Sequence, residues 1–299
     1  MLRSMYSGIS GLKNFQTKLD VVGNNIANVN TFGYKKGRVT FKDLVNQSVG
    51  SASGAGGGVG GTNPKQVGLG ASMSTVDNVY NQGALQNTGR TLDVGISGEG
   101  FYQVMTAEGV RYTRSGNFYT DVEGNIVTSD GNYVIGLSDP VGDDPGLPPA
   151  NSDELGSNTY DEKTGAIDNA FTGGYMKIKI PTNARNLSIG KDGLVTFVDG
   201  TGSLQRVGYL SMANFANPGG LEKSGVNLFS ASQNSGVAAA GSPSTNGLGQ
   251  LTSGTLEMSN VDLSEEFTEM IIAQRGFQAN TRIITTSDQV LEELVNLKR

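Results

Sequence analysis

The chain has 299 residues and a formal charge of −6, and it contains no Cys, His or Trp. These absences exclude disulfides, thiolate and imidazole metal ligands, and catalysis by cysteine or histidine. The acidic balance disfavours nucleic acid as a partner, and no apolar run approaches the ~20 residues of a membrane span. We therefore expect no binding of nucleic acid, membrane or cofactor.

The first 36 residues carry apolar side chains at the alternating three- and four-residue spacing of a coiled-coil seam. The seam residues are Leu2, Met5, Ile9, Leu12, Leu19, Ile26 and Val29. Their spacing predicts an amphipathic helix of about 25 residues. The polar run from Asn24 to Gly33 comes next, and because such residues compete for helical hydrogen bonds, we expect the helix to stop there.

Residues 34–70 are predicted to connect this helix to a β region. Tyr34 to Val45 mixes strand and short-helix character, and residues 48–62 form a Gly/Ser tract typical of a flexible linker. The tract does not have the order of a phosphate-binding loop, because no Lys-Ser or Lys-Thr closes it at the required offset.

Residues 71–138 and 175–255 are predicted to form one β domain. Leu92, Val94 and Ile96 alternate with smaller or polar residues, and strands are also expected at 101–105, 176–180, 187–189, 194–198 and 207–212. Turns are expected where Gly follows Glu or Asp, as at Glu108-Gly109. The stretch Asp121–Asn125 resembles part of a calcium loop but lacks that loop's Gly and Glu positions, so a hairpin turn is favoured.

Residues 139–174 have a different composition from the strands on either side. Asp139 to Pro149 combines four prolines with three acidic residues, and polar residues continue through Gly165. We predict an insertion or a small outer lobe.

The C-terminal residues 256–299 mirror the start of the chain. Asp262 is a candidate N-cap with Glu265 at the capping-box spacing. A second seam lies at Leu263, Phe267, Met270, Phe277, Ile284, Leu291 and Val295, with Gln274, Thr281 and Asp288 in the intervening positions. It predicts a helix of roughly 36 residues.

The predicted fold class is therefore mostly β with terminal α-helices. Residues 1–33 and 256–299 form a coiled-coil-like helical assembly domain, residues 34–70 connect, and the all-β middle carries the 139–174 lobe. Each helix has more apolar surface than one partner helix can cover, which favours a polymer-forming structural protein. Polar seam residues such as Gln16 would then fix the register of the helices.

Two other function classes remain open on the residues alone. An enzyme would use Asp121, Glu123 or Asp192 as a carboxylate site, although each lies in a turn sequence that explains it without chemistry. A surface adhesin would normally carry a secretory signal, whose apolar core is lacking after Met1.

Longer motifs carry a family resemblance that covers both ends and most of the β region. They are Ser7–Lys13 through Asn24-Asn-Ile-Ala-Asn-Val-Asn-Thr31; Leu92-Asp-Val-Gly-Ile-Ser-Gly-Glu-Gly-Phe101; Tyr112–Phe118 through Asp130-Gly131; Gly208–Leu221; and Ser259–Phe267 running into Gln274–Asn280. The chain resembles the bacterial flagellar rod and hook axial proteins. Residues 48–62 and 139–174 lie outside the resemblance.

Within that family, the residues resemble the hook type more than the distal rod type. The start Met1–Gly11 and the stretch Gly23–Thr31 are closer to hook proteins, and Gly61–Gly70 is similar to short hook proteins. Many hook proteins, however, carry a large outer domain where this chain has only residues 139–174. A distal rod subunit of the basal body therefore stays open as the alternative.

The resemblance implies a structural, non-enzymatic subunit of the flagellum. Such subunits are exported unfolded through the type III apparatus without signal cleavage and polymerise beneath a hook cap protein. A hook would join the distal rod protein below to the hook–filament junction protein above, acting as a universal joint outside the cell.

The same resemblance assigns expected roles to the residues of both ends. It implies that the two helices surround the channel of the polymer, with the seam residues as the assembly interface. The joint segment would then comprise Asn24, Asn25, Asn28, Asn30, Thr31 and Gly33.

Overall fold

The computed structural model describes residues 2–54, 60–137, 174–200 and 202–297, together with the backbone of 156–157, 159–161 and 166–168. As predicted, the described chain is mostly strands with one helix near each end. No helix among the described residues is long and apolar enough to span a membrane.

The chain divides into two compact units. The helical unit comprises Met1–Asn28, Lys36–Val79 and Val261–Arg299, and the β unit comprises Val29–Lys35 and Tyr80–Asn260. The backbone thus passes between the units four times. Residues 36–79 group with the helices, and the four-part division expected from the sequence stays a prediction.

The end of the first helix and the start of the second lie where the sequence predicts them. Helix α1 spans Leu2–Ala27 and helix α2 spans Leu263–Leu297. The Asp262 carboxylate accepts hydrogen bonds from the backbone N–H groups of Ser264 and Glu265, at 2.8 and 3.4 Å, which is an N-cap. At the end of α1, the Asn28 side-chain amide donates to the backbone carbonyl of Asn24 at 2.9 Å.

Four strands of the helical unit lie between the helices in the chain: β1 Gly37–Asp43, β2 Asn46–Gly50, β3 Lys65–Gly68 and β4 Ala71–Asn78. β1 pairs with β4 and β2 pairs with β3, both antiparallel. Beyond β2 and β3, Ser53 and Thr62 exchange backbone hydrogen bonds of 3.1 and 3.0 Å. The linker interpretation of 48–62 is therefore wrong at its described ends, because their backbone groups pair with each other. Residues 55–59 lie outside the described residues.

The β unit contains the remaining strands, β5 to β24. They are β5 Leu85–Asn87, β6 Val94–Ser97, β7 Phe101–Thr106, β8 Gly109–Thr113, β9 Tyr119–Thr120, β10 Ile126–Val127, β11 Tyr133–Leu137, β12 Gly156–Ser157, β13 Thr159–Asp161, β14 Ala166–Asp168, β15 Tyr175–Lys177, β16 Arg185–Ile189, β17 Leu194–Val198, β18 Leu204–Leu210, β19 Met212–Asn214, β20 Glu222–Gly225, β21 Leu228–Ser230, β22 Ala239–Gly241, β23 Gln250–Ser253 and β24 Thr255–Glu257. The main sheet runs β16-β17-β18-β11-β7-β8-β21-β20, and β6 pairs with β23 and β5 with β24. Apart from the short strands β12 to β14 and residue 174, the predicted 139–174 lobe falls outside the described residues.

The core of the β unit forms from the alternating residues of these strands. Val94 and Ile96 of β6 are fully buried, as are Val195 and Phe197 of β17, while their neighbours in β17 remain partly exposed. Tyr102 packs edge-on against Phe118 at a ring-centroid distance of 5.0 Å and donates its hydroxyl to the carbonyl of Val94 at 2.8 Å. Burial raises the pKa of Tyr102 well above its ordinary value.

The hairpin interpretation of Asp121–Asn125 is confirmed. β9 and β10 pair antiparallel on either side of it, and the Asp121 carboxylate accepts from the backbone N–H and the side-chain amide of Asn125, at 2.7 and 2.9 Å. The carboxylate thus closes a turn. No cluster of three or more metal-ligating side chains occurs among the described residues.

Candidate assembly surfaces and joint segment

Small residues set the contact between α1 and α2. A Cβ atom added at Gly276 would lie 2.5 Å from the ring of Phe15, and one at Gly11 would lie 2.8 Å from the side-chain oxygen of Asn280. The helices therefore approach closely at these glycines. The two helices also form an ion pair between Lys18 and Glu269.

The buried and half-buried residues of α2 form one face of the helix, which we call its shielded face. Most of them follow each other at alternating intervals of four and three residues, and every second one of these coincides with a position of the predicted seam. The residues at these intervals are Glu266, Met270, Ala273, Phe277, Asn280, Ile284, Ser287 and Leu291. The predicted intervening positions Gln274, Thr281 and Asp288 are exposed instead. Ala273, Asn280 and Ser287 were not predicted, because a close contact selects small or polar side chains, whereas the seam pattern marks only large apolar ones.

Large apolar side chains on more than one side of α2 remain exposed among the described residues. They are between 39% and 82% exposed, and they are Leu263, Phe267, Ile271, Ile272, Ile283, Val290, Leu294, Val295 and Leu297. We call this set the exposed apolar surface of α2. Three of the predicted assembly residues, Leu263, Phe267 and Val295, belong to it, whereas Met270, Phe277, Ile284 and Leu291 lie on the shielded face.

The predicted seam of α1 is mostly shielded within the helical unit. Met5, Leu12, Leu19 and Ile26 are half-buried, and Ile9 is 36% exposed. Val29 is half-buried but belongs to the β unit, and the side chain of Leu2 lies outside the described residues.

Strands β1 and β4 supply part of that shielding, which the sequence analysis did not anticipate. The ring of Phe15 lies 6.3 Å from that of Phe41 in β1, and a Cβ at Gly70, the residue before β4, would meet the side chain of Ser10. The strands therefore pack on α1, so that part of its apolar stripe is already covered within one chain.

Asn25, a predicted joint residue, fastens three elements of the helical unit. Its side-chain carbonyl accepts from the backbone N–H of Gly37 at 2.9 Å, and its amide donates to the carbonyl of Gly37 at 2.9 Å and to Glu266 at 3.1 Å. Both Asn25 and Glu266 are buried. Glu266 was not predicted as a partner, because a carboxylate in the first turn of a helix is ordinarily explained by its favourable interaction with the helix dipole.

The other joint residues fall on both sides of the unit boundary, which lies between Asn28 and Val29. Asn24 and Asn28 close the end of α1, while Asn30 and Thr31 line a cavity of about 270 Å³ in the β unit. Gly33 has φ +71°, and a Cβ there would lie 2.6 Å from the backbone nitrogen of Ser115. Only glycine fits this position without strain.

A buried triad of charges lies next to the joint segment inside the β unit. Lys35 donates to one oxygen of Glu257 at 2.7 Å, and the Arg114 guanidinium donates to the other at 2.9 Å. None of the three side chains is more than 4% exposed. Burial, and then the nearby positive charge of Arg114, lower the pKa of Lys35. No sequence pattern marks this triad, since nothing distinguishes Lys35 from the neighbouring Lys36.

Comparison with known proteins assigns the family. Three family models match: the flagellar hook protein FlgE/F/G D1 domain over residues 95–197, the flagellar basal body rod FlgEFG protein C-terminal region over 252–297, and the flagella basal body rod protein over 5–35. The flagellar basal-body rod protein FlgG of Bacillus subtilis is 52% identical over 300 residues, covering all of both chains. This chain belongs to the flagellar hook and basal-body rod family.

Two proteins from Borreliella burgdorferi make a useful pair within the family. Its flagellar hook protein FlgE is 33% identical over 441 residues and its flagellar basal-body rod protein FlgG is 33% identical over 306, each alignment covering all of both chains. The D1 family match also spans 139–174, so the expectation that this stretch lies outside the resemblance is wrong.

Membership of this family makes the chain a structural component of the flagellum and not an enzyme. The carboxylates that an enzyme would use have structural partners. Asp121 closes its hairpin, and Asp192 accepts from the backbone N–H of Leu194 at 3.3 Å within the turn between β16 and β17.

Proposed function

We propose that this chain is a rod subunit of the flagellar basal body, of the distal rod type, which polymerises with copies of itself. The observation that carries the proposal is the end-to-end alignment with the Bacillus subtilis rod protein, which needs only 300 positions for the 299-residue chain.

The Borreliella burgdorferi pair supports the rod over the hook by length. The hook alignment extends over 441 positions and the rod alignment over 306, so the hook protein carries many residues with no counterpart in this chain. Because 33% of the positions are identical in both alignments, the hook protein nevertheless shares more identical residues with this chain, about 146 against about 101. The hook remains the second candidate, on the motifs Met1–Gly11, Gly23–Thr31 and Gly61–Gly70.

The exposed apolar surface of α2 supports self-assembly. Side chains such as Phe267 and Ile271 gain free energy when a neighbouring copy removes them from water, on the order of 25 cal/mol per Å² of apolar area. The predicted interface residues on the shielded face of α2, and the half-buried ones of α1, would then act mainly within each copy, holding α1 against α2. Export by the type III apparatus, a cap protein and neighbouring axial proteins at both ends of the polymer are part of the same proposal.

Electron microscopy of a strain that lacks this gene tests rod against hook. The rod proposal predicts that the distal part of the straight rod is missing and that no curved segment forms above it. A complete rod that lacks only the curved segment would overturn the proposal in favour of the hook. Re-expression of the intact gene controls for effects on neighbouring genes.

A further inference from the structure

Stretches of the β unit that lie next to the unit boundaries in the sequence contact one side chain of that unit, Glu257. Three of the four backbone passages have Glu257 or one of the residues around it nearby in the sequence. Lys35 directly precedes one passage, and Asn81 follows another. Glu257 lies three residues before Asn260, where the β unit ends. Glu257 and the residues that bind it all belong to the β unit.

The Glu257 side chain binds the other two stretches and also Arg114. One oxygen accepts from Lys35 at 2.7 Å and from the backbone N–H of Gly83 at 2.9 Å, and the other accepts from Arg114 at 2.9 Å. Its backbone carbonyl accepts from the N–H of Gly33 at 2.8 Å. Lys35 also donates to the carbonyl of Asn81 at 2.9 Å.

Further contacts hold the short stretch Val29–Lys35, which we call the crossing segment. Lys223 donates to the backbone carbonyl of Lys35 at 3.2 Å and lies 4.8 Å from the centre of the Tyr34 ring. Asn227 donates to the carbonyl of Phe32 at 3.2 Å. These bonds fix the backbone of the crossing segment, but Lys35 is its buried anchor.

We infer that Glu257 and Lys35 form a clamp that makes the crossing segment and residues 80–83 one rigid piece with the β unit, and that this clamp sets the stiffness of the assembled polymer. The inference deepens the proposed function, since it concerns how an axial subunit carries force. Charge-assisted hydrogen bonds between buried groups have steep angular and distance dependence, so they resist small displacements better than apolar contacts.

Because the triad contains two cations and one carboxylate, the Lys35–Glu257 bond can be removed without leaving an unpaired buried charge. Two cations share one carboxylate, so the substitution Lys35→Met removes one cation and leaves a balanced Arg114–Glu257 pair, with a side chain of similar length. Glu257→Gln instead leaves two buried cations without a counter-ion, which is strongly destabilising. The two variants therefore separate loss of the clamp from loss of the fold.

Hydrogen exchange on the purified full-length chain tests the clamp directly. Lys35→Met is expected to speed exchange at the amides of Gly33 and Gly83 by about tenfold or more, while core amides of β7 stay unchanged. Lys191→Met, in an exposed turn, is the matched control and should change neither set. Unchanged exchange at Gly33 and Gly83 in Lys35→Met would overturn the clamp.

Bending of assembled polymers tests the mechanical half of the inference. Polymers of Lys35→Met subunits, imaged by cryo-electron microscopy, should show larger curvature fluctuations than polymers of the parent or of Lys191→Met. Faster exchange with unchanged polymer bending would overturn the link to stiffness. Neither readout depends on whether the polymer is rod or hook, so a failure here is distinguishable from a failure of the rod assignment.

Discussion

The side-chain amide of Asn25 makes the two hydrogen bonds that a residue of a neighbouring strand would make. Its carbonyl and amide match the N–H and C=O of Gly37 as a neighbouring strand would, and the amide also reaches Glu266 of α2. Removing the side chain takes a hydrogen bond from three groups, the half-buried N–H and C=O of Gly37 and the buried carboxylate of Glu266. The residue is therefore structural in the helical unit, as well as part of the predicted joint.

We expect Asn25→Ala to lower the free energy of unfolding by about 2–3 kcal/mol, because buried and half-buried donors and acceptors lose their hydrogen bonds. Urea unfolding followed by helical circular dichroism measures the change. Gln16→Ala, an exposed polar residue on the same helix, should shift the value by less than about 0.5 kcal/mol. Equal effects of the two substitutions would contradict the role of Asn25.

The lowered pKa of Lys35 gives a second prediction at this scale. Between that pKa and the ordinary value of 10.5, the unfolded chain binds more protons than the folded chain, so stability contributed by this site rises with pH. The parent should therefore gain stability relative to Lys35→Met as the pH approaches 10.5. A difference that is flat or falls with rising pH would show that Lys35 is not desolvated.

At the scale of elements, the sequence predicted both helices but only half of their contact. The spacing of Met270, Phe277, Ile284 and Leu291 was sufficient to find one row of the shielded face of α2. The other row consists of small or polar residues, such as Ala273, whose positions depend on how closely α1 approaches. Such a contact depends on two helices meeting, and no single segment encodes it.

Two glycines test that close contact. A glycine in an exposed helix is normally improved by alanine, and Gly23→Ala in α1 should raise stability by about 0.5–1 kcal/mol, since an added Cβ meets nothing within 4 Å. Gly276→Ala should instead lower it by about 1–2 kcal/mol, because the Cβ overlaps the ring of Phe15.

Thermal or urea unfolding of the two alanine variants measures these changes. Adding Phe15→Leu to Gly276→Ala should recover part of the loss. If Gly276→Ala stabilises the chain as much as Gly23→Ala does, the helices do not meet closely at Gly276.

At the scale of the whole molecule, the mostly-β middle and helical ends were predictable from the sequence, because strand alternation and helical spacing are local patterns. Residues 36–79 were not: their strands pair over long sequence distances, and Gly-rich composition suggested a linker. The Lys35–Glu257–Arg114 triad was equally out of reach, since its members are far apart in the chain and only the fold brings them together.

Assembly should depend on the exposed apolar surface of α2. We expect the double substitution Phe267→Ser and Ile271→Ser to leave the isolated chain folded, because both residues are at least half exposed, and to abolish polymerisation. Light scattering of concentrated protein, together with motility of complemented cells, measures the effect. Gln274→Ser, an exposed polar change on the same helix, is the control. Normal polymers from the double variant would exclude this surface as the assembly element.

The most direct test of the central claim is a cryo-electron microscopy map of the isolated basal body with its attached hook. If the chain is a rod subunit, the side-chain density of the straight segment should match this sequence. Helices α1 and α2 should then lie in the innermost layer, with Phe267 and Ile271 against a neighbouring copy. Side-chain density that matches this sequence in the curved segment, and a different sequence in the straight one, would contradict the rod assignment.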